Sequence, residues 1–224
     1  MVKKNILSQN LLNNYYTGKG GGKMKNAILI LMMLFAFSFA LLAQEAKIDQ
    51  QAPDFKLEDI NGMDVLLSDY SGKIVVLEWI NFDCPYVRKH YQSENIPKMQ
   101  EKYTKQGVIW MAICSSAPGK EGYLPVGEIK KRIKQYNAKM SFYLIDSDGK
   151  VGKMYGAKTT PHFFIINKEG KLVYSGAVDD KPSTNIEDIK SARNYVAEVV
   201  DALLSGGNPP VKVTKPYGCS VKYK

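Results

Sequence analysis

The order of apolar segments predicts an α/β fold, a three-layer α/β/α sandwich built on a central mixed β-sheet. Three observations carry this expectation. Short apolar runs of strand length alternate with stretches of helical period, as expected when helices cover both faces of a sheet. Two of the runs, residues 73–80 and 108–113, are apolar almost throughout, which suits central strands buried on both faces. A pair of short strands around Asn167-Lys-Glu-Gly, followed by a last amphipathic segment, closes the pattern with a hairpin and a helix.

Taken in order, residues 54–57 and 65–67 read as strands joined through Asn61-Gly62, a dipeptide that favours tight turns because both residues tolerate positive φ. The run 73–80 is the next strand. A helix is expected to begin at Cys84-Pro85, since proline suits a first helical turn where its missing N–H costs nothing, and Pro97 is expected to kink or end it. Residues 126–137 form an amphipathic helix and 141–145 a strand. Asp146-Ser-Asp148-Gly resembles the start of a calcium loop but lacks the later ligands and the terminal Glu, so it reads as a turn. Strands at 163–166 and 171–174 flank the second turn. Residues 189–204 form the closing helix, apolar at Tyr195, Val196, Val199, Val200 and Leu203, and Gly206-Gly207 ends it. There is no internal repeat, low-complexity tract or second domain. The expected organisation is a folded domain over 46–205 and an extended tail over 206–224, which carries too little apolar content to fold alone.

Ahead of the domain, Lys23 and Lys25 precede an apolar run over 27–43, and Ala43-Gln44 follows. A basic start, an apolar stretch and a small residue describe a secretory signal peptide over 24–43. The run is seventeen residues long, short of the roughly 20 that a spanning helix needs, so membrane contact is expected only through this segment before cleavage. Residues 1–23 read as an upstream extension. The expected location is outside the cytoplasm, in the periplasm of a bacterial cell envelope.

The formal charge of +9 raises the question of nucleic acid. Five of the 31 Lys and Arg residues, and none of the 22 acids, lie before residue 44. Lys and Glu are interspersed over the rest, as on a solvated surface, and no nucleic-acid partner is expected. No phosphate loop, paired-carboxylate hydrolase pattern or Ser-His-Asp elbow is present.

Export makes the three cysteines, Cys84, Cys114 and Cys219, candidates for redox chemistry, because disulfides persist outside the cytoplasm. Cys84 stands where a buried strand hands over to a helix. Free backbone N–H groups and the positive end of the helix dipole stabilise a thiolate at such a place, and the thiolate is the nucleophile.

The segment Glu78-Trp79-Ile-Asn-Phe-Asp-Cys84-Pro-Tyr-Val87 resembles the active-site strand and helix start of thioredoxins, with a buried acid six residues and a Trp five residues before the nucleophilic cysteine. Thr159-Thr160-Pro161, followed by His162-Phe-Phe-Ile-Ile, looks like the loop in which thioredoxin-fold proteins hold a cis-proline. The continuation Cys-Pro-Tyr-Val-Arg-Lys-His-Tyr and the ending Tyr217-Gly-Cys-Ser-Val-Lys-Tyr are similar to a peroxiredoxin-like redoxin branch of the alkyl hydroperoxide reductase and thiol-specific antioxidant family. The likeness spans residues 46–205. It implies a thioredoxin-like sandwich, a thiol–disulfide oxidoreductase or peroxiredoxin-like antioxidant protein with Cys84 as nucleophile, no bound cofactor and no metal. It also implies a thiol or disulfide protein partner, or peroxide, as substrate, and an external thiol as reductant.

Two departures shape that expectation. Thioredoxins carry a second cysteine three residues after the first, where this chain has Val87. Peroxiredoxins carry Thr or Ser three residues before the peroxidatic cysteine, where this chain has Asn81. An oxidised Cys84 then needs another partner: Cys219 on the tail, Cys114 at a strand end, or an external thiol. A tail thiol thirteen residues past Gly206 is within reach, since extended chain covers about 3.3 Å per residue. Under the resemblance, Glu78 is buried with a raised pKa and moves protons, against the alternative of a carboxylate turned to solvent. Pro161 is cis, exposing backbone for an extended thiol substrate, and Trp79 is a packing platform. Arg88 follows Cys84 closely. His90 opens a different reading, a non-catalytic redoxin-fold module or copper carrier using Cys84 and His90. His162 reads as a packing or surface residue.

Overall fold

The computed structural model describes residues 45–224. The upstream extension expected over 1–23 and the signal peptide expected over 24–43 lie outside the described residues.

The first hairpin pairs β1 (Lys56–Asp59) with β2 (Asp64–Leu66), antiparallel in register Leu57 with Val65. Its turn is held by the buried Asp59 carboxylate, which accepts from the N–H groups of Asn61 and Met63 at 2.8 and 2.9 Å. β3 (Val75–Trp79) follows, buried at every position. The apolar run expected there is thus the centre of the sheet.

Cys84, extended at φ −68° and ψ 125°, caps α1 (Pro85–Gln92), with the proline in the first turn as expected. The helix stops four residues before Pro97, at Ser93 and Glu94, and Glu94 takes a left-handed φ of 60°. Pro97 therefore does not end or kink it. Pro97 lies in the first turn of a second helix, α2 (Asn95–Thr104), where its missing N–H removes no intrahelical bond.

β4 (Ile109–Cys114), α3 (Val126–Gln135) and β5 (Phe142–Ile145) come next. A short α4 (Lys150–Tyr155) was not expected from the sequence; it begins after the Asp146 turn, and the buried Asp146 accepts from the N–H groups of Val151 and Gly152 at 3.2 and 2.8 Å. The two-residue β6 (Thr159–Thr160), β7 (His162–Ile166) and β8 (Leu172–Gly176) complete the body of the fold. The helix expected over 189–204 is divided: a 3-10 turn spans Ile186–Ser191, and α5 (Tyr195–Leu204) starts at an Asn194 cap whose side chain accepts from Ala197 N–H. A last strand, β9 (Cys219–Ser220), lies in the tail.

Seven strands form one mixed sheet in the order β2-β1-β5-β4-β3-β7-β8, with β3, β4 and β5 parallel and the other pairs antiparallel. Alternation along β3 divides its side chains. Val76 and Ile80 join a core with Ile96 and Met99 of α2, Ile129 of α3 and Val196, Val199 and Val200 of α5. Val75, Leu77 and Trp79 join a second core with Phe55, Leu144 and Val151 and Tyr155 of α4. The result is the expected three-layer arrangement, and the mouth of the first core lies at the β3–α1 junction that carries Cys84.

Candidate functional site

Cys84 is completely buried. Its Sγ donates to the Thr160 carbonyl oxygen at 3.0 Å and lies 2.7 Å from Sγ of Cys219. The Thr160-Pro161 peptide is cis. Of the residues singled out from the sequence, Cys84, Cys219 and Pro161 thus come together.

Cys219 arrives there by strand pairing. β9 runs antiparallel to β6, Cys219 opposite Thr160 and Ser220 opposite Thr159. Just past β9, Val221 N–H donates to Lys158 carbonyl at 3.1 Å and Ala117 N–H to Lys222 carbonyl at 2.9 Å. Upstream, Thr214 N–H donates to Ser175 carbonyl, and Thr214 Oγ1 accepts from Ala177 N–H at 2.9 Å. Burial, and then the adjacent Cys84, raise the pKa of the Cys219 thiol. A disulfide bond is about 2.05 Å long, so the two sulfurs need less than 1 Å of approach to join.

Cys114, the other internal candidate, is engaged elsewhere. Its Sγ donates to the Gly122 carbonyl at 3.4 Å, and burial raises its pKa. Val87, in the place of a second thioredoxin cysteine, is a fully buried core residue.

Glu78 is wholly buried on the same sheet face as the core below Cys84, not turned to solvent. Three donors converge on its carboxylate: Tyr91 Oη at 2.8 Å, Trp110 Nε1 at 2.7 Å and Gln100 Nε2 at 3.2 Å. Desolvation outweighs them and raises its pKa to about 7. Trp79 points to the opposite face, packed on Tyr155 and Phe164, with Nε1 donating to Ser115 Oγ at 2.9 Å.

Asn81 is committed on both sides of its amide. Oδ1 accepts from Asp83 N–H at 2.8 Å and Nδ2 donates to Glu121 at 3.0 Å. Arg88 is exposed on α1. His162 is buried beneath β6, its Nδ1 accepting from Lys158 N–H at 3.3 Å, and desolvation lowers its pKa to about 3.

His90 belongs to a constellation that sequence reasoning missed. Its Nδ1 is 2.9 Å from Asn95 Nδ2, and its Nε2 is 3.0 Å from Tyr217 Oη. Asn95 Nδ2 donates, its Oδ1 being turned to Asn194, so Nδ1 accepts, Nε2 carries the proton and donates to Tyr217, and Tyr217 donates to Asp179 Oδ1. Burial, then Lys89, lower the His90 pKa to about 3, which keeps the ring neutral. Both ring nitrogens are occupied, so His90 has no lone pair to offer a copper ion. Among the described residues no cluster of three metal-ligating side chains occurs. The only sequence signal for this latch was Tyr217-Gly-Cys itself.

A family model described as the AhpC/TSA family matches residues 48–175. Among curated proteins, the thiol-disulfide oxidoreductase ResA of Bacillus subtilis is 31% identical over 155 residues, covering 65% of this chain and 77% of that protein. ResA of Bacillus thuringiensis is 29% identical over 154 residues, covering 65% and 82%. Among solved structures, an uncharacterized conserved protein from Geobacillus kaustophilus is 32% identical with a TM-score of 0.68, covering 80% of this chain and 93% of its own. A hypothetical protein from Sinorhizobium meliloti is 26% identical with a TM-score of 0.66, covering 81% and 97%.

Proposed function

Because this chain belongs to the AhpC/TSA family and its relatives include proteins named thiol-disulfide oxidoreductases, we propose that it is a thiol–disulfide oxidoreductase working through a Cys84–Cys219 cycle. The 2.7 Å approach of the two sulfurs is the observation that carries this reading. Cys84 thiolate attacks a substrate disulfide; a Cys84–substrate bond forms and the substrate's other sulfur leaves as a thiolate. Cys219 then loses its proton, attacks Cys84 Sγ and expels the remaining substrate thiolate. The substrate disulfide is reduced to two thiols and the protein is oxidised to a Cys84–Cys219 disulfide, which an external thiol reductant reopens.

Each remaining residue has a part in this reading. Cys84 attacks first in this reading because it stands at the strand–helix junction, where the N-terminus of α1 favours a thiolate, while Cys219 lies on the tail. Glu78, with a pKa of about 7, can take up and return a proton near neutral pH. Pro161 fixes the Thr160 carbonyl against Cys84. Thiol–disulfide exchange is favoured over peroxide reduction because the matched relatives are named thiol-disulfide oxidoreductases and because Asn81, bonded to Asp83 and Glu121, stands where peroxiredoxins carry a hydroxyl. In this reading the segment over 24–43 is a signal peptide and the protein works outside the cytoplasm, where a disulfide persists.

Peptide mapping of the oxidised, unreduced protein tests the cycle. A Cys84–Cys219 linkage is expected, and Cys219→Ser is expected to accumulate Cys84 mixed disulfides that the native chain clears. A Cys114–Cys219 linkage with Cys84 free would overturn the assignment.

A further inference from the structure

Cys219 stands between two anchored tyrosines, Tyr217 before it and Tyr223 after it. Tyr217 is held from α1 and from the segment after β8: its Oη accepts from His90 Nε2 at 3.0 Å and donates to Asp179 Oδ1. Its ring lies 5.8 Å from that of Tyr86. Tyr223 is held from α4. Its Oη donates to the Ala157 carbonyl oxygen at 2.8 Å, and its ring fills a slot that two glycines leave open. A Cβ on Gly149 would stand 2.6 Å from Tyr223 Cδ1, and one on Gly152 2.5 Å from Tyr223 Oη. The left-handed φ of 71° at Gly149 favours glycine by itself, but Gly152 lies within α4 and has no such angle. Helices disfavour glycine, so what Gly152 supplies is room for Tyr223.

Between the two tyrosines the tail makes the two-residue pairing of β9 with β6 and two further backbone bonds, Val221 to Lys158 and Ala117 to Lys222. A pairing this short is marginal on its own. Gly218, at φ +130°, passes close over Thr160, where a Cβ would stand 2.8 Å from the carbonyl carbon; the residue just before Cys219 thus has no side chain to hold it. The 2.7 Å approach of the two sulfurs depends on what secures the chain on either side.

We propose that Tyr217 and Tyr223 are positioning residues for the resolving step, a clamp on both sides of Cys219 that sets the effective concentration of its thiol at Cys84. This rests on the exchange reading and deepens it. Once Cys84 is joined to substrate, Cys219 gives its proton to solvent and its thiolate attacks Cys84 Sγ. The Cys84–substrate bond breaks, and the substrate leaves as a thiolate. Holding the tail in place makes that attack intramolecular and favourable, so loosening either anchor lowers the yield of the internal disulfide at equilibrium. The docked tail also lies over Cys84, which has no exposed surface, so loosening it opens Cys84 to reagents.

The test equilibrates the full chain with reduced and oxidised glutathione, quenches by alkylation and reads the Cys84–Cys219 disulfide by mass spectrometry. Oxidised glutathione becomes two thiols as the protein dithiol becomes a disulfide. Tyr217→Phe removes only the hydroxyl bonded to His90 and Asp179, and Tyr223→Ala empties the glycine slot. Each is expected to lower the equilibrium constant about tenfold and to speed alkylation of Cys84 by iodoacetamide in the reduced chain. Val65→Ala, in the edge strand β2, destabilises the fold away from the tail and is expected to keep both readouts at native values. Native values in either tyrosine variant, or an equal change in Val65→Ala, would overturn the clamp. Should Tyr223→Ala fail to show a cooperative thermal transition, Tyr223→Leu replaces it with the same expectations. A native chain that forms no Cys84–Cys219 disulfide overturns the exchange reading and the clamp with it; a native disulfide whose constant the tyrosine variants leave unchanged overturns the clamp alone.

Discussion

Replacing Glu78 by Gln is expected to leave stability nearly unchanged at acid pH and to raise it at alkaline pH. The native carboxyl has a pKa raised from 4.5 to about 7, so the folded state binds more protons than the unfolded state between those values. Stability from this group is therefore full below pH 4.5, falls as pH rises to 7, and is level above. A rise of about 2.5 units at roughly 1.4 kcal/mol each removes about 3 kcal/mol across the window. Gln does not ionise, so the loss disappears. Its amide meets the same three donors as the protonated carboxyl it replaces: in either, one oxygen accepts from Trp110 and Gln100 and the other end donates to Tyr91 Oη. Glu78→Gln should thus match the native chain to within about 1 kcal/mol at pH 4 and be more stable by about 3 kcal/mol at pH 8. Urea unfolding at pH 4, 6 and 8, with a phosphine reductant holding all three cysteines as thiols, measures the difference, and other titrating groups cancel in it. A difference of constant sign and size would refute the placement of Glu78 as a carboxyl kept protonated by burial.

Further outcomes follow from the same geometry. Trp110→Phe removes a 2.7 Å donor that favours the ionised form of Glu78, so the pH at which stability levels off should move upward in the same denaturation series. A Cβ on Gly152 would stand 2.5 Å from Tyr223 Oη and 2.7 Å from Ser115 Oγ; Gly152→Ala is expected to cost about 1–3 kcal/mol by overpacking and to raise hydrogen exchange at Val221 and Ala117, whose N–H groups hold the end of the tail.

Much of the fold was legible because its signals are local. Continuous apolarity placed β3 and β4, Asn61-Gly62 and Asn167-Lys-Glu-Gly marked the two hairpins, and proline after Cys84 marked the start of α1. The misreadings were local too. Pro97 looked like a terminator because a proline inside a helix breaks it; the chain instead turned at Glu94 and made the proline part of a new first turn. The six residues of α4 are too few for a periodic pattern to stand out.

The site divides along the same line. The position of Cys84 at a strand–helix junction, the buried acid before it and the proline loop across from it follow from short stretches of sequence, because each is set by an element and its immediate turn. Which sulfur meets Cys84 does not, since Cys219 lies 135 residues away and its place depends on β9 pairing with β6, on Thr214 against Ser175 and on the close approach of Gly218 to Thr160. The same docking turns His90 from a candidate ligand into the anchor of Tyr217. Sequence alone determined the scaffold and the place of Cys84 in it; only the tertiary path of the tail decided which sulfur lies against it, because a contact between distant segments is specified by every surface the intervening chain packs against.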